Sequence, residues 1–190
     1  MSPILGIWAS ANQSQYILPN SYESIATTTV GSGGSSTITF SSIPSTYKHL
    51  QIRILARSNK AADVTDYLKL RYNSDSGANY SVHLLYGNGS SVTALGFASQ
   101  NENWIQRVSG AGATASVFGT AVVDILDYAN TSKYKTMRNL GGIDNNGSGL
   151  VYLASGSWQN TAAISSISIT AGDGTSLDQY SSFALYGIKG

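Results

Sequence analysis

The chain has 190 residues, only 11% of them charged, and eleven Lys and Arg against ten Asp and Glu leave a net charge of +1. That length suits one domain with a sizeable core, and the near-neutral balance excludes attraction to nucleic acid or an anionic membrane as a property of the whole chain. With no cysteine there is neither a disulfide framework nor thiolate chemistry, and no run of about 20 apolar residues offers a membrane span.

The opening MSPILGIWAS gathers Ile4, Leu5, Ile7 and Trp8 ahead of any strand pattern. No Lys or Arg precedes this patch, and it falls short of the roughly 7–15 residues of a secretory h-region, so no leader peptide is expected. Residues 9–20 are polar, end in LPN and read as an extended connector. The expected layout is an N-terminal arm and connector over residues 1–21, then one β-sandwich domain over 22–190. Burying Ile4, Leu5, Ile7 and Trp8 contributes roughly 1.5–3 kcal/mol each, against about 1–2 kcal/mol per residue for ordering the arm. The net is small per copy, which suits either an assembly arm clipped to a repetitive partner or a cover for the domain's own sheet.

From Tyr22 onward, strand patterns dominate. Tyr22–Val30 and Thr37–Phe40 come first. HLQIRILAR then sets Leu50, Ile52, Ile54 and Ala56 on one face, with Gln51, Arg53, Leu55 and Arg57 on the other. YLKLRY does the same with Leu68, Leu70 and Tyr72 against Tyr67, Lys69 and Arg71. Further strands are expected at Tyr80–Tyr86, Trp104–Val108, Ser116–Leu126, Tyr134–Leu140 and Leu150–Ser155. ISSISIT, with Ile167 and Ile169 alternating with serines, and Ser182–Ile188 complete the series. Period-two alternation with β-branched and aromatic residues marks half-buried antiparallel strands. GSGG, NSDSG, GNGS, DNNGSG and AGDGTS supply the turns between them. About ten short strands with frequent turns predict an all-β fold: a two-sheet antiparallel sandwich, jelly-roll-like, with an extended N-terminal arm. TYKHLQIR echoes KYKTMRNL and HLLYG echoes FALYG, but Tyr47 and Tyr134 are 87 residues apart and Tyr86 and Tyr186 are 100 apart, so no fixed-period repeat is indicated.

Catalytic chemistry finds little support. The two histidines, His49 and His83, read as strand-end and polar-face residues, and no G-x-S-x-G elbow marks an activated serine. Most acids fall in turns, and Asp124 and Asp127 project from opposite faces of one strand, so they cannot form a glycosidase dyad. DNNGSG at Asp144 and AGDGTSLD with Asp173 and Asp178 have too few carboxylates for a calcium loop and read as turns. Arg53 and Arg57 would form a small basic patch with Lys69 and Arg71 if their strands pair, although a solvated sheet face is the simpler expectation. No metal and no cofactor is expected, and the chain reads as a non-enzyme. Trp104 and Trp158 are candidate contacts for a glycan or a neighbouring subunit, because aromatics stack on sugars and anchor interfaces; core packing is the alternative.

SYESIATTTVGSGGSSTITFSSIPSTYKHLQIRILAR, the later DILDYANTSKYKT and the terminal SSFALYGIKG together resemble a recurrent group of tailed-bacteriophage proteins encoded among virion genes. The resemblance runs roughly from Tyr22 to Gly190, and the SPILGIWAS opening is similar to N-termini of the same group. It implies a non-enzymatic structural protein of the virion with a β-sandwich fold, serving as capsid decoration or as part of a tail or fibre. Assembly would take place in the reducing host cytoplasm, with other virion proteins as partners and a homo-oligomer, such as a trimer, as the working form. Few long charged side chains favour such packing, because less rotamer entropy is lost at a large contact. The alternative expectation is a carbohydrate-recognition module that binds host surface glycans through loop aromatics.

Overall fold

The computed structural model describes residues 21–174 and 176–190, so the expected arm residues Ile4, Leu5, Ile7 and Trp8 lie outside the described residues. Twelve β-strands make up the ordered framework. They are β1 (Tyr22–Thr29), β2 (Thr37–Phe40), β3 (His49–Ala56), β4 (Thr65–Tyr72), β5 (Tyr80–Gly87) and β6 (Val92–Gln100), followed by β7 (Asn103–Ser109), β8 (Gly119–Leu126), β9 (Lys135–Asp144), β10 (Gly149–Trp158), β11 (Ile167–Ala171) and β12 (Ser182–Ile188). All strand pairings between them are antiparallel.

The strands divide into an eight-stranded sheet, ordered β1-β12-β3-β8-β9-β10-β5-β6, and a four-stranded sheet, ordered β2-β11-β4-β7. The segments β1-β12-β3-β8 and β2-β11-β4-β7 are the two interleaved halves of a jelly roll, with chain neighbours such as β1 and β2 or β3 and β4 in opposite sheets. Two hairpins are added to this plan. β5–β6 is inserted between β4 and β7, and β9–β10 between β8 and β11. Both join the same edge and carry the large sheet out from β8 to β6. The jelly-roll-like sandwich expected from the sequence is therefore the fold of the described residues.

Alternation in the sequence becomes burial in the structure. Leu50, Ile52, Ile54 and Ala56 of β3 all face the core, as do Leu68, Leu70 and Tyr72 of β4 opposite them. Tyr72, Tyr80 and Trp158 form an aromatic cluster at one end, with Trp158 5.5 Å from Tyr72 and 6.3 Å from Tyr80 between ring centres. Trp158 is 1% exposed, and its indole N–H donates to Asp75 at 2.7 Å. Its ring therefore stabilises the core and is closed to both a glycan and a subunit.

One strand goes beyond the sequence reading, and one grouping conditional on strand pairing does not arise. VTALGFASQ forms β6, a strand that the sequence pattern does not announce, because Gly96 interrupts it and its apolar residues do not alternate cleanly. The basic patch of Arg53, Arg57, Lys69 and Arg71 does not form either. β3 and β4 lie in different sheets, because in a jelly roll consecutive strands cross between layers. Arg53 instead stacks between Tyr22 and Tyr186, at 5.6 and 5.0 Å from their ring centres, while Lys69 and Arg71 both pair with Glu102 at 3.1 Å.

Buried polar side chains hold the loops at the ends of the sandwich. Lys135 at the start of β9 is 1% exposed, and its ammonium donates to the carbonyls of Asn130, Lys133 and Thr161 at 2.5, 2.9 and 2.9 Å. All three protons are thus satisfied by two loops that have no other regular structure. Lys135→Met would keep the volume but strand three carbonyls, and should cost about 2–4 kcal/mol of stability. Urea unfolding would measure this, with a change below about 0.5 kcal/mol showing that the loops do not depend on the ammonium.

Candidate functional site

The titratable side chains are dispersed, and each has an evident local role. His49 Nδ1 accepts from the Asp127 N–H at 3.0 Å at the end of β3. His83 projects outward from β5 and lies over Gly96, where an added Cβ would come within 2.8 Å of its ring. Asp66 is fully buried, accepting from Ser58 Oγ and from the N–H groups of Tyr67, Asp173 and Gly174 at 2.7–3.0 Å. Asp173 pairs with Lys60 at 2.9 Å, and Asp124 accepts from Gln51 and Arg138 at 2.9 and 3.1 Å. Among the described residues no group of three or more His, Cys, Asp or Glu side chains could hold a metal ion. Asp144 is the last residue of β9, and Asp124 and Asp127 are engaged with different partners.

What distinguishes the surface is the outward face of the large sheet. Strand register places Arg53, Val122, Leu140, Leu153, Leu85 and Ala94 in one row across β3, β8, β9, β10, β5 and β6. Val122, Leu140, Leu153 and Leu85 are each 40–58% exposed. The next row, two residues along, runs Leu55, Thr120, Gly142, Val151, Gly87, Val92, with Val151 and Val92 at 64% and 72%. On the other side lies a polar row of Gln51, Asp124, Arg138, Ser155, His83 and Gly96. Leucine knobs therefore stand beside the glycine positions Gly142 and Gly87, while the His83 ring covers Gly96. The first two rows together form an apolar patch that the polar row borders on one side.

The opposite face of the added strands is covered from within the chain except at Leu95, which pairs with Leu84 and is 43% exposed. Val82, Leu84, Tyr152 and Ala154 form a second small core under Tyr86, Phe97, Trp104 and Leu150. Trp104 is half-buried there, 4.8 Å from Phe97 and 5.3 Å from Tyr67 between ring centres. Arg107 lies 4.2 Å from the Tyr67 ring centre and donates to the Tyr67 hydroxyl and to Thr65. Of the two tryptophans singled out in the sequence, Trp158 is thus a core residue and Trp104 joins the hairpin extension to β7. The structure does not bring them together.

The apolar outward residues were not singled out from the sequence. Their signal was nevertheless present, because AVVDIL, VYLAS and HLLYG are apolar at both parities. Near-continuous apolar runs are what strands of a sheet covered on both faces show, and here one of the two faces is open among the described residues.

Sheet order, alternation and turn chemistry define a double-sheet jelly-roll domain whose large sheet is lengthened by two hairpins and, among the described residues, has no segment over its outer side. No family model and no curated protein matches the chain. Among solved structures, the galectin LEC-6 of Caenorhabditis elegans is similar over 86% of this chain and 96% of its own, at 8% identity and a TM-score of 0.30, a likeness too distant to bear on function.

Two expected outcomes follow from these placements. Leu153→Thr keeps a β-former on an exposed face, so stability should stay within about 0.5 kcal/mol, while binding of the dye ANS to the folded protein should fall. Unchanged dye binding would show that the face is not an accessible apolar surface. At the far end of β8, Lys133 and Lys48 hydrogen-bond to Asp127 and hold its carboxyl down at about 2. A depressed carboxylate contributes stability above its unfolded value near 4, and that contribution is lost as pH falls through about 2. Asp127→Asn should therefore flatten the decline of the urea midpoint over that acid window and leave the curve above pH 5 parallel to wild type. An identical slope in both proteins would remove Asp127 as the cause.

Proposed function

We propose that this protein is a non-enzymatic structural component of a bacteriophage particle that self-associates through the outward face of its large sheet. The observation that carries this reading is the pair of apolar rows across β8, β9, β10, β5 and β6, where leucines and valines are 40–72% exposed. The three outward rows cross six strands, and at about 4.8 Å per strand and about 7 Å per row they project roughly 600 Å², of the same order as the roughly 800 Å² that each partner contributes to a standard interface. A second copy is the partner best suited to it. Two such faces can stack like the layers of a sandwich about 10 Å apart, with leucines of the Leu140–Leu153–Leu85 row seated beside Gly142 and Gly87 of the other copy. That self-complementarity is what an isologous contact requires.

The particle role rests on the resemblance of the SIPSTYKHLQIR and SSFALYGIKG stretches to virion-encoded proteins, and the rigid, neutral, cysteine-free sandwich is consistent with it. Surface decoration of a capsid and a place in a tail or fibre both use such a module, and many copies on one lattice turn a weak contact into strong avidity.

Sedimentation velocity at micromolar concentration is the test of the interface. Wild type should sediment as an oligomer, while Leu140→Glu combined with Leu153→Glu should sediment as a monomer with unchanged far-ultraviolet circular dichroism. A wild-type monomer throughout would overturn self-association. Immunogold labelling with an antibody to residues 22–190 tests the particle role, since unlabelled heads and tails would overturn it.

A further inference from the structure

The loop end of the sandwich at the start of β8 carries a second feature, independent of the outward face. A groove of about 480 Å³ opens between the segment preceding β8 and the segment preceding β12. Phe118 and Ser116 line one wall, and Asp178, Gln179 and Tyr180 line the other. Tyr180 is 68% exposed and sits at a φ of +71°. Left-handed backbone is the province of Gly and Asn, and a bulky aromatic there is an outlier. A turn that needed only this geometry would be better served by either of those residues. Here the strain is accepted and the ring it holds is left in water, a combination with no return in core packing. Strained residues of this kind persist where surrounding structure over-determines them, and they gather at binding sites.

The surroundings do over-determine it. The Tyr180 N–H donates to the Val30 carbonyl at 2.9 Å, and the Ser181 N–H to the Asp178 carbonyl at 3.1 Å. Ser181, fully buried, accepts from the Arg57 N–H at 3.1 Å. The Arg57 guanidinium then ties down the opposite wall, donating to the carbonyls of Ala111, Ala113, Thr114 and Val117 at 2.9–3.1 Å. Its Nε lies 3.5 Å from Asp178 Oδ2. One arginine, its side chain 13% exposed, thus ties both walls, so the groove is preformed and a ligand need not order it.

From this geometry we infer that the Phe118–Tyr180 groove binds a neutral pyranose sugar. Two aromatic surfaces offer a platform for the C–H face of a sugar ring. The Ser116 hydroxyl, the Gln179 amide and the Asp178 carboxylate supply the mixed donors and acceptors that hydroxyl groups need. Among the described lining residues the cation is Arg57, and its donors are directed to backbone carbonyls and Asp178, which leaves no fork for a phosphate or carboxylate. A purely apolar ligand would in turn strand the polar wall.

Saturation-transfer NMR on the full chain tests this, with methyl glucoside, methyl galactoside, N-acetylglucosamine, maltose and lactose as probes and N-acetylneuraminic acid as the anionic comparator. At least one neutral probe should receive saturation on its ring C–H protons. The decisive variant is Tyr180→Asn, which removes the ring while keeping a residue suited to positive φ. It should lose about tenfold in affinity and should melt at or above the wild-type temperature, because the strain is relieved. A purely structural Tyr180 would instead lower the melting temperature and leave binding unchanged. No transfer to any neutral probe, equal transfer in wild type and variant, or transfer confined to N-acetylneuraminic acid would each overturn the inference. Because Tyr180 lies outside the apolar rows, the oligomeric state of this variant stays that of wild type, and the two readings fail separately.

Discussion

Four strands cannot cover eight. The small sheet β2-β11-β4-β7 shields only the half of the large sheet formed by β1, β12, β3 and β8, together with what the edge strand β7 can reach. Everything unusual about this molecule follows from that mismatch of area. Backbone groups in the extension are satisfied by its own ladder, but its two faces must each find apolar cover or remain in contact with water.

The inner face solves the problem locally. Trp104 and Phe97 lie over Val82, Leu84, Tyr152 and Ala154, and Arg107 stacks on Tyr67 beside them, so side chains do what a further strand would otherwise do. Tyr86 and Tyr152, 6.4 Å apart and nearly parallel, continue the cover toward the edge. On the outer face no segment of the described chain is available for this, and the Val122–Leu140–Leu153–Leu85 row stays open. The cover we propose for it is a second molecule, because rows of knobs and glycine positions repeat with the spacing of the sheet itself.

At the ends of the sandwich a different principle operates. Lys135 and Asp66 are buried and Arg57 is partly so, and the partners of all three are mostly backbone groups of irregular loops rather than opposite charges. Each converts a segment that would otherwise fluctuate into a fixed wall, since removing any one of them would leave several buried carbonyls or N–H groups without partners. That rigidity lets a non-glycine residue such as Tyr180 be held in left-handed backbone. A loop end stiffened in this way and an open sheet face are separable surfaces on one scaffold, so assembly and ligand capture need not compete for the same residues.

By itself the sequence determined the all-β class, the faces of β3 and β4, and the turn positions, because alternation and glycine-rich punctuation are local consequences of the backbone repeat. It also held the clue to the extension in the doubly apolar AVVDIL and VYLAS, although periodicity cannot say whether the second apolar face is buried by the same chain or left open. Only the tertiary structure decided which strands are neighbours. It separated Arg53 from Lys69, sent Trp158 to the core and Trp104 to the hinge of the extension, and brought Phe118 and Tyr180 together across 61 intervening residues. Such pairings are set by how sheets cross over and by what area remains to be covered, and that is a property of the whole chain rather than of any stretch of it.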